Sequence, residues 1–322
     1  VLVDMHAASL NYRDIAISKG KVPGAIPLAA APDIVPGSDG AGVVIAVGSA
    51  VDTTTSPWLK PGSKVVMHMV RGKDNEYMPM MQDISDGLGQ QLDGTLCRQG
   101  VFHHSCLVPM PQHLSFAEAA TLTCSGLTAW NALFGAPGRE VKEGDWVLVQ
   151  GTGGVSIAAL QMAVAAGATV IAITSTDSRA EQMHALGAKH VINYKTQTNW
   201  GAVAKSLTPD QRGVDHVVDV VGVKTFAQDL AAIRTHGLVT VAGMLGGADD
   251  NDPGMMSTLW HLATYRGILL GSRQMFLDMN AFLEAKKVKL ALDGVVFNLE
   301  DALGAFERLQ RWEHFSKVVI KM

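Results

Sequence analysis

The 322-residue sequence is poor in cysteine and in charge, and it has no excess of basic residues. Its three cysteines, Cys97, Cys106 and Cys124, are too few for a disulfide framework and have no CxxC spacing. They predict reduced thiols in a cytoplasmic protein and exclude a four-cysteine zinc site. With 26 basic and 30 acidic residues the net charge is −4, so nothing favours nucleic acid as a partner.

Long apolar runs and paired histidines are also missing. No uncharged apolar run reaches the roughly 18 residues of a membrane helix, and the 11 histidines form no HxxxH pair. Charged residues make up only 17 %, while 48 % are hydrophobic; typical soluble domains are about 25 % charged. This low fraction of charged residues predicts a homodimer, in which part of the surface is buried against a second subunit.

The length is sufficient for two domains, or for one large one. The chain opens on Val1 within what we interpret as a strand, so we expect N-terminal strands to precede this residue. Up to about residue 111, Gly and Pro separate short β-branched runs such as Lys64–Met67, which predicts a mostly β region. Residues 71–92 are polar and rich in Met, and we interpret them as a surface excursion.

From Ser115 onward the pattern predicts alternating strands and helices. Ser115 and Glu118 form a capping box that predicts a helix start. Strands are predicted at 146–150, 169–174, 190–193, 216–221, 238–242 and 318–320, and helices at 155–166, from about 178 and at 302–311. Strands separated by helices of this length predict the α/β class, with a doubly wound parallel sheet covered on both faces.

A glycine-rich turn lies between the first of these strands and its helix. Residues 151–156 read Gly-Thr-Gly-Gly-Val-Ser. Gly151 permits a tight turn, Gly153 lets the backbone approach a pyrophosphate, and the helix N-terminus offers free N–H groups. Ser156 stands where the dinucleotide-binding pattern has Gly or Ala. The context predicts a dinucleotide site that includes Thr152, Gly154 and Val155.

The residues after the next strand predict which dinucleotide binds. An NAD site places a carboxylate there for the ribose 2′-hydroxyl, and that carboxylate would repel a 2′-phosphate. Here Ser175 and Thr176 offer hydroxyls and Arg179 offers a guanidinium, which favours NADP(H). Asp177 would favour NAD if its side chain pointed inward. Capping of the helix is the alternative role for these polar residues.

Several segments together resemble the medium-chain dehydrogenase/reductase superfamily. The segments that show this resemblance are Asn-Tyr-Arg-Asp at 11–14, Pro-Gly-Ser-Asp-Gly-Ala-Gly at 36–42, residues 122–130, residues 186–194 and residues 314–320 near the end of the sequence. The resemblance covers nearly the whole chain and is closest to the zinc-independent quinone oxidoreductase-like branch of these alcohol dehydrogenase-like proteins. It implies a GroES-like β domain, formed by residues 1–117 and 272–322, and a Rossmann NADP-binding domain at 118–271.

The resemblance also implies that this chain holds no metal. Zinc-dependent relatives bind the catalytic metal through Cys, His, Glu and Cys. At the matching positions this sequence has Asn11, Ser38, Asp39 and Cys124. One thiol and one carboxylate do not complete a tetrahedral N/S site, so we expect Cys124 to be a packed or site-lining thiol.

By the same resemblance, Asn11 and Tyr12 are the catalytic candidates, as donors to the developing enolate or quinol oxygen. Asn11 could instead orient the nicotinamide ribose, and Tyr12 could be packed. The further residues implied to bind the cofactor are Thr128, Arg179, Tyr194, Gly243, Met244, Leu245, Ser272, Arg273 and Lys317. Ordinary turns, helix packing and a solvated lysine are their structural alternatives.

The predicted function is therefore NADPH-dependent, zinc-free hydride transfer to a quinone or an α,β-unsaturated carbonyl. An NADP-dependent alcohol or carbonyl dehydrogenase is one alternative, and a cofactor-binding protein without turnover is another. The expected partners are a small electron-poor substrate and a second copy of the chain, paired through an open sheet edge near residues 268–271. Neither nucleic acid nor a membrane is expected.

Overall fold

The computed structural model describes residues 1–22, 25–27, 29–72, 74–247 and 254–322. The chain divides into two compact units. Unit 1 comprises Val1–Leu127 and Leu270–Met322, and unit 2 comprises Thr128–Leu269. The first boundary thus lies later in the chain than the 117/118 expected from the sequence, and the second lies slightly earlier than 271/272.

The described residues form the following elements in chain order. The strands are β1 (Leu2–Ser9), β2 (Lys21–Val22), β3 (Ala25–Pro27), β4 (Asp39–Ala46), β5 (Lys64–Met67), β6 (Gln99–Val101), β7 (Leu107–Pro109), β8 (Trp146–Gln150), β9 (Thr169–Thr174), β10 (His190–Asn193), β11 (Val214–Asp219), β12 (Ile233–Val241), β13 (Thr264–Gly267), β14 (Leu292–Asn298) and β15 (Lys317–Lys321). The α-helices are α1 (Tyr12–Ser18), α2 (Met81–Ser85), α3 (Phe116–Ala119), α4 (Leu127–Phe134), α5 (Gly154–Ala165), α6 (Asp177–Ala185), α7 (Trp200–Ser206), α8 (Phe226–Ala232), α9 (Ser257–His261), α10 (Arg273–Lys286) and α11 (Ala302–Gln310).

Unit 1 is built on a mostly antiparallel sheet in the order β14-β15-β1-β4-β5-β7, with β6 also paired to β1. Strand β1 pairs with β4 on one side and with the C-terminal β15 on the other, and Ser9 lies opposite both Asp39 and Val319. The end of β1 therefore lies beside the start of β4 and the start of β15. This register brings together three distant chain segments that carry polar residues.

Apolar side chains of β1, β4 and β5 are buried together in unit 1. Val3, Met5, Val44 and Val65 are at most 3 % exposed and pack in one cluster. A second cluster joins α1 to α11 and β15, and its buried members are Leu10, Ile15, Ala305, Leu309, Val318 and Ile320. Helix α11 is amphipathic, and its apolar face packs against β15. This packing fixes the C-terminal strand in place.

Unit 2 holds six parallel strands in the order β10-β9-β8-β11-β12-β13. Counted along the chain, this is the 3-2-1-4-5-6 order of the Rossmann fold, whose direction reverses between β8 and β11. Ligands of such sheets bind outside the carboxyl ends of the strands at that reversal. The central strands are buried on both faces, with Leu148, Ile171 and Val239 all 0 % exposed. The prediction of a doubly wound parallel sheet is confirmed.

Several predicted boundaries need correction. Strands β11 and β12 begin earlier than expected, at Val214 and Ile233. The Ser115 capping box is present, but α3 ends at Ala119 and the chain continues as a π-helical turn, Leu122–Gly126, into α4. The edge strand beside β12 is Thr264–Gly267. The expectation that residues 268–271 form the edge strand is therefore wrong, because the strand ends just before them. No helix in the described part of the chain has the length and apolar character to span a bilayer.

Candidate functional site

A buried ion pair lies in unit 1 where β1, β4 and β15 meet. The Lys317 ammonium donates to the Asp39 carboxylate at 3.1 Å, to the Leu10 carbonyl at 2.8 Å and to Oδ1 of Asn11. Lys317 is 4 % exposed and Asp39 is 0 % exposed. Three acceptors match the three N–H bonds of an ammonium, so the buried charge of Lys317 is fully hydrogen-bonded.

The Asp39 carboxylate is equally well surrounded. Besides Lys317, the backbone N–H of Cys124 donates to Oδ1 at 3.1 Å. The hydroxyls of Ser9 and Ser38 lie 3.2 and 3.3 Å from its oxygens. A buried carboxylate is stable only when its lone pairs are occupied and its charge is compensated, and here both conditions are met.

Asn11 follows the end of β1 by two residues, is the N-cap of α1 and is 7 % exposed. Its Oδ1 accepts from Lys317 and, at 3.3 Å, from the Ser125 hydroxyl. Its Nδ2 is buried without a hydrogen-bond partner among the described residues. The backbone N–H of Asn11 donates to Asp14 at 2.7 Å, which fixes the start of α1. The side chain therefore presents an amide donor that nothing in unit 1 uses.

Burial shifts the pKa of two neighbouring titratable groups. Burial raises the pKa of Asp14 to about 6, opposed by Arg13 and by the Asn11 N–H, and its Oδ1 lacks a described partner. Burial, with the Asp39 charge beside it, raises the pKa of Cys124 to about 12. At neutral pH Asp14 is close to its titration range, and Cys124 is a protonated thiol.

The two residues after Asn11 have structural roles. The Tyr12 ring stacks on Trp312 with centroids 5.6 Å apart, in line with the packing alternative for this catalytic candidate. Arg13 donates to the carbonyls of Ile84 and Leu88 at 3.0 and 3.1 Å and to Gln90 at 3.0 Å. Arg13 therefore anchors the Met-rich excursion, the 71–92 stretch, to α1.

In unit 2 the glycine turn leaves open space beside the N-terminus of α5. Gly151 has φ +78°, and a Cβ built on Gly151 or Gly153 would meet no atom within 4 Å. Gly153 is the N-cap residue, so the first N–H groups of the helix follow at Gly154 and Val155. Thr152 is buried within the turn. Open space beside the N-terminus of a helix fits a pyrophosphate.

The Ser156 departure from the glycine pattern has a structural explanation. Its hydroxyl is buried and donates to the Gln150 carbonyl at 2.5 Å. This bond joins the first turn of α5 to the last residue of β8. Only a hydroxyl side chain makes this link, which Gly or Ala cannot provide.

The residues predicted to select the dinucleotide lie at the carboxyl ends of β9 and β10. Ser175 is half-buried and follows β9 directly. The Tyr194 N–H donates to the Thr174 carbonyl at 3.0 Å, and the Tyr194 ring is 44 % exposed. Asp177 accepts from the Asn193 amide at 2.9 Å, so its carboxylate is engaged by the end of β10. Arg179 lies in the first turn of α6.

The remaining unit 2 candidates follow β12 or open α4. A Cβ on Gly243 would lie 2.5 Å from the Val220 carbonyl, so only glycine permits this close approach. Met244 and Leu245 are 51 % and 43 % exposed at the same end of the sheet. Thr128 is 6 % exposed in α4.

Ser272 and Arg273 have partners within unit 1. Ser272 caps α10 by accepting from the Met275 N–H at 3.1 Å. Arg273 donates to Asn75 at 2.5 Å and to the Leu107 carbonyl at 2.8 Å. These contacts hold both side chains within unit 1, although Nε of Arg273 is buried without a partner among the described residues. The three donors of Lys317 are all used within unit 1.

A further buried carboxyl, which was not predicted from the sequence, lies behind the glycine turn. The Gln150 amide donates to Asp229 at 2.6 Å, while Asp229 Oδ2, Gln150 Oε1 and the Tyr265 hydroxyl have no partner among the described residues. Burial raises the pKa of Asp229 well above its usual value, and the charge of Asp219 adds to the effect. The signal for this group was an acidic residue inside a short helix whose other residues, apart from Gln228, are apolar.

Comparison with known families agrees with this architecture. Residues 1–112 match the alcohol dehydrogenase GroES-like domain, and residues 154–285 match the zinc-binding dehydrogenase domain. A zinc-type alcohol dehydrogenase-like protein of Schizosaccharomyces pombe is 39 % identical over 100 % of this chain and 90 % of its own length. The chain belongs to the zinc-type alcohol dehydrogenase-like family of medium-chain dehydrogenases/reductases.

Two further relatives span the whole chain. A zinc-type alcohol dehydrogenase-like protein of Leptosphaeria maculans is 31 % identical over 100 % of this chain and 90 % of its own length. The crystal structure of an NAD-dependent alcohol dehydrogenase superposes with a TM-score of 0.85 at 31 % identity, covering 100 % of this chain and 91 % of that one. The protein is thus an NAD(P)-dependent oxidoreductase of this family.

The family implies zinc, but the residues at the ligand positions do not fit it. Asn11 offers an amide oxygen that accepts from an ammonium, Ser38 offers a hydroxyl, and Cys124 offers one thiol. The only carboxylate, Asp39, is already paired with Lys317. Among the described residues no three His, Cys, Asp or Glu side chains are grouped to hold a metal. Zn²⁺ prefers thiolate and imidazole ligands, and the buried ammonium would repel it.

Proposed function

We propose that this enzyme is an NADPH-dependent, zinc-independent oxidoreductase that transfers hydride to a quinone or an α,β-unsaturated carbonyl. One observation carries the proposal: the positions that match the family's zinc ligands hold a hydrogen-bonded network of Asn11, Ser38, Asp39 and Cys124 around Lys317. That network supplies amide, hydroxyl and ammonium groups, which donate hydrogen bonds. It supplies no vacant set of thiolate and imidazole ligands.

The chemistry follows from what those groups can stabilise. Oxidation of an alcohol needs help to remove the hydroxyl proton at neutral pH, which a Lewis-acid metal provides. Reduction of an enone or a quinone needs a hydrogen-bond donor for the oxygen on which negative charge develops. When bound, the nicotinamide ring supplies the hydride. The buried Asn11 amide, with Nδ2 uncommitted within unit 1, is the donor that we assign to the reacting oxygen.

Residues of unit 2 would hold the cofactor. The glycine turn offers N–H groups and open space to the pyrophosphate, and Gly243, Met244 and Leu245 would present backbone groups to the carboxamide. Thr128 would pack beside the nicotinamide. A C4 position held against the acceptor lowers the entropic part of the barrier. We assign Tyr12, which is stacked on Trp312 within unit 1, a packing role.

The preference for NADPH rests on the ends of β9 and β10. Ser175, Arg179 and Tyr194 would contact the 2′-phosphate. One oxygen of Asp177 accepts from Asn193, and we propose that this contact keeps the carboxylate at the end of β10 rather than on the cofactor ribose. Fluorescence titration should show tighter binding of NADPH than of NADH, and Arg179→Gln should weaken NADPH binding more than NADH binding. A tighter complex with NADH in the unmodified protein would overturn the preference.

The central experiment is oxidation of NADPH with a panel of quinones, enones, ketones and aldehydes, on protein dialysed against a chelator. Turnover with quinones or enones supports the proposal. Activity confined to ketones and aldehydes would support a carbonyl or alcohol dehydrogenase instead, an alternative favoured by the NAD-dependent alcohol dehydrogenase to which the chain is similar. Binding without turnover would indicate a non-catalytic protein. Metal analysis finding about one zinc per chain would refute zinc independence.

We also propose that the enzyme forms a homodimer through the β13 edge of unit 2. In the segment that precedes this strand in the chain, Met255, Leu259 and Trp260 are 80 %, 52 % and 78 % exposed. Strand β13 is the last strand of the sheet among the described residues, and both exposed apolar side chains and an open sheet edge are typical of an interface. Light scattering should give the mass of a dimer, and Trp260→Glu should lower it. A monomer in the unmodified protein would contradict this proposal.

A further inference from the structure

We propose that Lys317 is a positioning residue that fixes the side-chain amide of Asn11 as a hydrogen-bond donor; the catalytic use of that donor rests on the proposed function. Lys317 and Asn11 are separated by 306 positions in the sequence. They meet because β15 and β1 are neighbours in the unit 1 sheet. Nothing in the reaction itself requires Lys317 to touch the substrate.

The first step of the argument is the orientation of the amide. An asparagine side chain can flip by half a turn about its last bond, which exchanges its oxygen and nitrogen. The Lys317 ammonium only donates, so a flipped Asn11 would direct an NH₂ group at an NH₃⁺ group. The buried ammonium therefore allows one orientation, with Oδ1 toward Lys317 and Nδ2 away from it.

The second step is what keeps the ammonium in place. The Asp39 carboxylate and the Leu10 carbonyl take the other two N–H bonds of Lys317. Asp39 is in turn held by the Cys124 N–H and lies close to Ser9 and Ser38. Ser125 adds a second, neutral donor to Oδ1 of Asn11 at 3.3 Å. The orientation of the amide is thus set by one charged contact and one weaker contact.

The third step is the effect on the donor. Charge-assisted hydrogen bonds are stronger than neutral ones, and hydrogen bonds in series polarise one another in a low-dielectric interior. An ammonium at Oδ1 draws electron density from the amide, so the Nδ2–H bonds become better donors. Such a preset donor would favour the developing oxyanion over the neutral carbonyl of the substrate. Lys317 would then act through Asn11 on the rate rather than on binding.

The orientation is tested without cofactor or substrate. In protein labelled with ¹⁵N in asparagine side chains, the Asn11 amide pair is identified by its loss in Asn11→Ala. We expect Lys317→Met to shift or broaden this pair, and Ser125→Ala to move it less. Lys321→Met is the matched control, because Lys321 is exposed on the same strand. If Lys317→Met is unfolded, Asp39→Asn combined with Lys317→Met removes both charges and serves in its place.

An unchanged Asn11 amide signal in folded Lys317→Met, or in the double variant, would overturn the inference whatever the enzyme's activity. The kinetic test is separate. If NADPH turnover is found, these variants should lose up to about 100-fold in kcat, the scale on which misplacement of a reacting group acts. KM for the acceptor and Kd for NADPH should stay close to those of Lys321→Met. An equal loss in NADPH affinity would instead indicate direct cofactor binding by Lys317.

Discussion

Asp39 in unit 1 and Asp229 in unit 2 are both carboxyls with 0 % exposure, yet their surroundings differ. Asp39 is contacted by an ammonium and a backbone N–H and lies beside two hydroxyls. Asp229 receives one amide N–H, from Gln150, and its second oxygen has no partner among the described residues. Its pKa is raised well above the usual value by burial.

The difference shows how the environment decides the state of a buried acid. A charged form is stable in the interior only when hydrogen bonds and an opposite charge replace the lost water. Around Asp39 these groups come from segments that the unit 1 sheet brings together. Around Asp229 they are nearly absent, so we expect the neutral acid there. Unit 1 thus contains a fixed charge pair, and unit 2 a neutral polar group behind its glycine turn.

The largest loss of stability is expected when one member of the Lys317–Asp39 ion pair is removed. Lys317→Met leaves the Asp39 charge uncompensated, which should cost about 3–5 kcal/mol of unfolding free energy in urea. Adding Asp39→Asn should restore part of that loss, because the lone buried charge is then gone. Lys321→Met should change stability by less than about 0.5 kcal/mol. Equal losses in the single and double variants would contradict a charge pair.

The pH dependence of stability should reveal the raised pKa of Asp14. The pKa of Asp14 rises from 3.8 to about 6 on folding, so the folded chain holds a proton that the unfolded chain releases. Its stabilising effect is complete below pH 3.8 and is lost as pH rises through 6. By linkage the loss is on the order of 3 kcal/mol. Asp14→Asn should remove this slope when wild type and variant are unfolded chemically at pH 4 and pH 7.

In unit 2, the hydrogen bond that links β8 to α5 should contribute less to the free energy of unfolding than the ion pair of unit 1. Ser156→Ala leaves the buried Gln150 carbonyl without the hydroxyl that donates to it at 2.5 Å, and we expect a loss of about 1–3 kcal/mol. Ser178→Ala is a suitable control, because Ser178 is exposed in the first turn of α6. Identical unfolding midpoints in the two variants would show that the link does not contribute.

The smallest effect is expected for Asp229→Asn. An asparagine has nearly the shape of the neutral acid, so stability at pH 5 should change by less than about 1 kcal/mol, as for a volume-conserving swap. Wild type should lose stability as pH rises through the raised pKa of Asp229, because the folded state then holds the proton more tightly than the unfolded state. The variant should not share this loss. A large destabilisation of the variant at pH 5 would mean that Asp229 is charged.

Local patterns predicted much of unit 2. Strands β8, β9 and β10 begin and end where the sequence places them, since short apolar runs between glycines and helical segments have few alternatives. The glycine turn was also predicted, from its place between a strand and a helix. What the pattern missed was Ser156, whose hydroxyl bond depends on the backbone carbonyl of Gln150 and has no signature in residue spacing.

Unit 1 was less predictable because its contacts are long-range. The sequence suggested Asn11 as a donor and Lys317 as a cofactor-binding residue, but it gave no sign that Lys317 pairs with Asp39, 278 positions away. The strands of unit 1 are interrupted by Gly and Pro, so their hydrophobic pattern says little about the register in which they pair. The pairing of β1 with both β4 and β15 is what determines these neighbours.

The sequence by itself determined the class of fold, the glycine turn and the residue types at the positions of the family's zinc ligands, because periodicity, turn chemistry and side-chain identity are local properties. Only the tertiary structure decided which charges are paired, which amide is left with a free donor and which carboxyl stays neutral. These properties depend on distances of a few ångströms between segments far apart in the chain, and on the exclusion of water around them.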